Sequence, residues 1–158
     1  MPYQHVNGAQ IYYETYGADA PDRLPLLLIH GSTGSGRSDW GEIAPLLSAG
    51  RRVIVPDCRG HGRSSTPNQS YSFKEMAADA DALVRALGYR RAHLLGHSNG
   101  GNVALVALME HPDVFQTVIL QAANAFVSPD LVEIEPVKFD PQRVDRENPD
   151  WKERMIAL

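Results

Sequence analysis

Leu94-Leu95-Gly96-His97-Ser98-Asn99-Gly100-Gly101 decides how the rest of this chain is read. The stretch joins a short apolar run to a G-x-S-x-G turn and then to a helix-forming segment, the context that turns a common pentapeptide into a nucleophile hypothesis. A serine on so sharp a turn must accept strained backbone angles. The turn closes only if the residues two before and two after it lack bulk, and Gly96 and Gly100 meet that demand. Ser98 is therefore a candidate catalytic residue, and its hydroxyl would need a base and an acid that orients the base.

Upstream of this turn, Leu24-Pro25-Leu26-Leu27-Leu28-Ile29 is a continuous apolar run ending in His30-Gly31, the pattern of a strand covered on both faces. Arg52 to Asp57, Ala92 to Gly96 and Thr117 to Gln121 repeat it. Tyr3 to Val6 and Gln10 to Tyr16 flank Asn7-Gly8, a hairpin signal. Helices are predicted between the strands. Ser38 to Leu47 places Trp40, Ile43 and Leu47 at helical spacing. Ser72-Phe73-Lys74-Glu75 reads as a capping box opening a helix whose stripe runs through Phe73, Met76, Ala80, Leu83, Val84 and Leu87 to a stop at Gly88. Asn102 to Glu110 is apolar almost all round, which predicts a buried helix ending before Pro112.

This alternation predicts an α/β fold: a doubly wound, mostly parallel sheet with an antiparallel N-terminal hairpin. From Asn124 the character changes. Ser128-Pro129, Glu135-Pro136, Asp140-Pro141 and Asn148-Pro149 punctuate a charged segment in which only Trp151 to Leu158 looks helical. The expected division is a core over 1–124 and the start of a lid over 125–158.

The chain has 158 residues, enough for one domain with a sizeable core. With 43% hydrophobic and 22% charged residues, it falls among soluble globular chains rather than disordered or fibrous ones. The formal charge of -4 is spread along the sequence, which disfavours nucleic-acid and anionic-membrane partners. Met1-Pro2-Tyr3-Gln4-His5 has no basic start or apolar run, and the expected location is cytoplasmic. Cys58 is the single cysteine, so no internal disulfide forms. Asn68-Gln69-Ser70 fits the glycosylation pattern but reads more simply as a polar loop.

Three motifs follow strands in order: His30-Gly31-Ser32-Thr33-Gly34-Ser35-Gly36, then Asp57-Cys58-Arg59-Gly60-His61-Gly62-Arg63-Ser64, then the serine turn. With the hairpin, they make the chain resemble the α/β-hydrolase superfamily, in its lid-bearing, esterase-like branch, over roughly residues 3 to 125. The resemblance implies that the N–H groups of Ser32 and Asn99 form the oxyanion hole, where fixed donors stabilise the tetrahedral intermediate. It also implies that the Asp57 to Ser64 loop is structural, with Asp57 and Arg59 holding neighbouring loops. The substrate class implied is a small acyl compound, with no cofactor and no metal. Epoxide hydrolases and dehalogenases of the superfamily carry an aspartate at the nucleophile position, and Ser98 argues against both.

Several rival readings stand beside this one. Gly31-Ser32-Thr33-Gly34-Ser35-Gly36-Arg37-Ser38 is one residue from a phosphate-binding P-loop, with Arg37 where the lysine belongs. Cys58 with His61 could suggest a thiol nucleophile, although a lone buried cysteine is usually packing. His97 reads as packing or pocket lining. In the family the acid and the histidine of the triad follow later strands, and neither position exists within these residues. His30 and His61 are weak substitutes for the base. The strand at Thr117 to Gln121 is expected to be an exposed apolar edge through which copies could associate. The chain is thus read as a serine hydrolase missing its acid and histidine, at most weakly active alone; the alternative is an inactive hydrolase-like fragment or a small-molecule binding module.

Overall fold

A computed structural model describes residues 2–65 and 70–124, together with Arg146. The chain divides into two units, Met1–Asn124 and Ala125–Leu158. The expected lid segment, with its helix over 151–158, lies outside the described residues, as do Asn68 and Gln69 of the glycosylation pattern.

The first unit is built on a six-stranded sheet in the order β1-β2-β4-β3-β5-β6. Strands β1 (Tyr3–Val6) and β2 (Ala9–Tyr16) form the antiparallel hairpin. Asn7 at φ 46° and Gly8 at φ 78° make its turn, the two left-handed residues that a tight hairpin requires. β2 also pairs antiparallel with β4 (Val53–Pro56). From there β4, β3 (Leu26–Ile29), β5 (Ala92–His97) and β6 (Phe115–Gln121) are parallel neighbours.

All residues of β3 and β4 are buried, because helices cover both faces, as their unbroken apolar runs predicted. On one face Leu27, Ile29, Ile54 and Leu94 pack with Met76, Ala80, Leu83 and Val84 of α3 (Phe73–Ala86) and Val103, Ala104 and Ala107 of α4 (Asn99–Glu110). On the other, Leu26, Leu28, Val53 and Val55 meet Trp40 of α1 (Gly36–Trp40) and Ala44 of α2 (Ala44–Leu47). Each large aliphatic side chain so enclosed contributes roughly 1.5–3 kcal/mol. The expected doubly wound α/β architecture with its antiparallel start is what forms.

Local departures have physical causes. The single helix predicted over Ser38 to Leu47 is two short ones, because Pro45, at the start of α2, has no N–H to carry an α-helical bond back across the break. Ser72 caps α3 through Glu75 N–H at 3.2 Å, as predicted, but Phe73 is exposed rather than part of the buried stripe. α4 begins three residues before the predicted start, and it is not buried all round. Its inner face is the small-residue row Val103, Ala104 and Ala107, while Leu108 and Met109 lie exposed on the other side. β6 ends the sheet among the described residues, with Ile119 56% and Leu120 41% exposed.

Candidate active site

The turn between β5 and α4 is as tight as its glycines require. Ser98 sits at φ 53°, ψ −118°, a conformation that costs an L-residue of order 1–3 kcal/mol and persists only where its surroundings enforce it. Its N–H donates to Gln121 O at 2.8 Å, tying the turn to the end of β6, and its carbonyl accepts from Gly101 N–H at 2.9 Å. A Cβ on Gly96 would lie 2.1 Å from Gly100 O, and one on Gly100 would lie 2.3 Å from Ile29 O. Gly101 is equally constrained, since its Cβ would come within 2.6 Å of Ala123 Cβ. The Gly-Gly pair in the sequence was the available signal for that third contact.

The loop after β3 reaches the serine. A Cβ on Gly31 would sit 3.4 Å from Ser98 Cβ. Asp39, on α1, fastens this loop to the elbow. Its Oδ2 accepts from Gly31 N–H at 2.8 Å and faces His97 Nδ1 at 3.2 Å, while Oδ1 accepts from Ser38 Oγ at 3.1 Å. Burial opposes ionisation of Asp39, but the donors from Gly31, His97 and Ser38 outweigh it and hold the carboxyl below its usual 3.8. Asp39 lies 58 residues from His97, so no local pattern announced it. Among the described residues neither Ser32 N–H nor Asn99 N–H has a hydrogen-bond partner; the latter is one of the orphan donors of a helix start.

The histidines considered as bases are occupied elsewhere. His30 is 2% exposed, with Nε2 accepting from Cys58 N–H at 2.9 Å and Nδ1 against Gly31 O at 2.7 Å. His61 presents Nδ1 to Arg59 O at 3.0 Å and Nε2 to Ser32 O at 2.9 Å. His97 holds Asp39 and stands edge-on to Trp40. Among the described residues no imidazole is hydrogen-bonded to Ser98 Oγ.

The Asp57 to Ser64 loop is a brace. Asp57 Oδ1 accepts from Gly36 N–H at 2.8 Å and Oδ2 from Arg63 N–H at 2.9 Å, and Ser64 Oγ donates to Asp57 O. Arg59 is 2% exposed and grips Asp79 on α3 with two bonds of 2.6 and 2.8 Å, with a third to Glu75 at 2.9 Å. Removing one member of such a buried pair typically costs about 3–5 kcal/mol. Burial pushes the Cys58 thiol up to about 12, which removes it as a nucleophile at neutral pH. The P-loop reading fails on the same contacts. Two N–H groups a phosphate would need, those of Gly31 and Gly36, are already filled by the carboxylates of Asp39 and Asp57, and a phosphate entering there would meet like charge.

The sequence profile of the family described as alpha/beta hydrolase fold matches residues 25–151. The chain belongs to that family. A fluoroacetate dehalogenase from Burkholderia sp is 38% identical over 108 residues, covering 65% of this chain and 35% of the relative. The human serine hydrolase BPHL is 35% identical over 127 residues, covering 78% and 43% respectively. Among solved structures, the enol-lactonase from Burkholderia xenovorans LB400 superposes with a TM-score of 0.77 at 28% identity, over 99% of this chain and 64% of the other. The chain spans about half the length or less of the curated relatives it matches first. The names of these relatives carry several different activities, and what membership in the family fixes is the fold. Among the described residues no helix is long and apolar enough to cross a membrane.

Proposed function

We propose that the chain carries the nucleophile half of a serine hydrolase acting on esters or related acyl compounds. Ser98 Oγ attacks the acyl carbon and gives up its proton to a base; the carbonyl π pair moves onto oxygen, where the N–H groups of Ser32 and Asn99 stabilise it. Collapse expels the protonated alcohol and leaves an acyl-enzyme on Ser98, which water then cleaves. The observation that carries this reading is the strained turn at Ser98, beside a loop whose Ser32 N–H has no partner among the described residues. Two relatives favour it by name, the serine hydrolase BPHL and the enol-lactonase, since a lactone is a cyclic ester. Among the described residues no imidazole is hydrogen-bonded to Ser98 Oγ, so the expected turnover is slow.

A second reading, a hydrolase-like module that binds a small molecule without turnover, is favoured by one observation: no imidazole among the described residues is hydrogen-bonded to Ser98. Hydrolysis of p-nitrophenyl acetate and butyrate by the chain and by Ser98→Ala separates the two. The acyl-enzyme reading expects turnover above background with kcat/KM below about 10⁴ M⁻¹s⁻¹, lost in Ser98→Ala. Equal rates for the two proteins would leave the binding module standing.

A further inference from the structure

Every polar backbone group of Gly31 and Ser32 is held by a side chain or turn except one. Gly31 N–H donates to Asp39 Oδ2 at 2.8 Å. Gly31 O meets His30 Nδ1 at 2.7 Å and Gly34 N–H at 3.3 Å. Ser32 O meets His61 Nε2 at 2.9 Å. Only the Ser32 N–H is left without a partner among the described residues. Polar backbone groups are rarely left unpaired without cause.

The tautomer of His30 follows from its neighbours. Cys58 N–H can only donate, so Nε2, 2.9 Å away, presents its lone pair. The ring proton is then on Nδ1, and it donates to Gly31 O. Burial, with the nearby His61 adding, holds His30 below the ordinary 6.5, so the ring is neutral at pH 7. The Gly31 carbonyl and the Ser32 N–H belong to one planar peptide, in which a trans bond points them in opposite directions. Fixing the carbonyl on His30 therefore aims the N–H away from it.

The geometry points to His30 as the positioning residue of the oxyanion donor: its Nδ1–H, locked by Cys58 N–H on the far nitrogen, sets the peptide plane that presents Ser32 N–H. This rests on the acyl-transfer reading for its catalytic meaning and on hydrogen bonds alone for its geometry. It replaces the reading of His30 as a substitute base. It also gives Cys58 a task that needs its backbone and not its thiol.

Two substitutions divide the ring's functions. The side-chain nitrogen of Asn occupies the position of Nδ1, and the terminal amide of Gln that of Nε2. His30→Asn therefore keeps the bond to Gly31 O, and His30→Gln keeps only the partner of Cys58 N–H. The experiment combines 15N-edited NMR of the 158-residue chain with fluorophosphonate labelling of Ser98. The expected results are a neutral Nδ1–H tautomer for His30 at pH 7, a Ser32 amide resonance preserved in His30→Asn and displaced in His30→Gln, and labelling slowed on the order of ten- to a hundredfold in His30→Gln alone. An Nε2–H tautomer or an imidazolium at pH 7 overturns the inference, even if both variants fail to fold. Equal effects of the two variants on the Ser32 amide overturn it too. If wild-type Ser98 takes no label, the acyl-transfer reading falls, and the tautomer with the Ser32 amide still decides the role of His30.

Discussion

Gly100→Ala sets local preference against tertiary packing with opposite signs. Gly100 lies in the first turn of α4, where alanine is intrinsically favoured over glycine by about 1 kcal/mol. Its new Cβ would stand 2.3 Å from Ile29 O and 2.6 Å from His30 O, both backbone atoms at the end of β3. Restoring ordinary contact needs a shift of about 1.1 Å or more, against a strand paired on both sides and buried throughout. Overpacking of this kind costs about 3 kcal/mol, so the net loss is about 2 kcal/mol. For a domain of this size that lowers Tm by about 6–10 °C. Urea and thermal unfolding followed by far-UV circular dichroism measure it. Gly88→Ala is the control: its φ of +89° makes alanine strained, but no atom lies within 4 Å of the added carbon, and the expected loss is about 1 kcal/mol. A Gly100→Ala protein as stable as wild type, or more so, would refute the claim that the elbow and β3 are in unyielding contact.

Ser98→Gly is expected to raise stability by about 1 kcal/mol, because glycine relieves the strain at φ 53° at a smaller entropic cost; a loss in urea unfolding contradicts the strained elbow. His30, held below 6.5 by burial, makes the unfolded chain bind the extra proton first. Stability is therefore full above about pH 7 and falls as the pH drops below 6.5 toward the folded value; His30→Asn should flatten that part of the profile, and an unchanged slope would count against it. The β6 edge carries Ile119 and Leu120 exposed and no charged residue between Phe115 and Gln121. Copies of the chain are expected to pair there. Sedimentation velocity should find dimers that Ile119→Lys disperses, whereas a wild-type monomer at every concentration contradicts it.

The sheet was legible because β3 and β4 are covered on both faces, and only unbroken apolar runs satisfy that burial. The elbow was legible because its glycines answer a steric demand within five residues. The split of the first helix was written in Pro45, whose missing N–H ends a helical ladder, but the apolar spacing of Trp40, Ile43 and Leu47 masked it. What surrounds the serine was hidden for a different reason. Asp39 meets Gly31 and His97, His30 meets Cys58, and His61 meets Ser32 across 8 to 58 residues, through single hydrogen bonds that leave no periodic trace. Sequence alone made His30 and His61 spare bases. Hydrogen-bond partners on both ring nitrogens make them holders of the loop.

If Ser98 is a nucleophile held on its elbow beside free N–H donors, its hydroxyl reacts with an electrophile that mimics an acyl group. Incubating the folded chain with a fluorophosphonate and mapping the adduct by mass spectrometry tests it most directly. The expected result is one slow, saturating adduct per chain, on Ser98, absent from Ser98→Ala. No adduct on a folded chain, or an adduct on another residue that persists in Ser98→Ala, would contradict it.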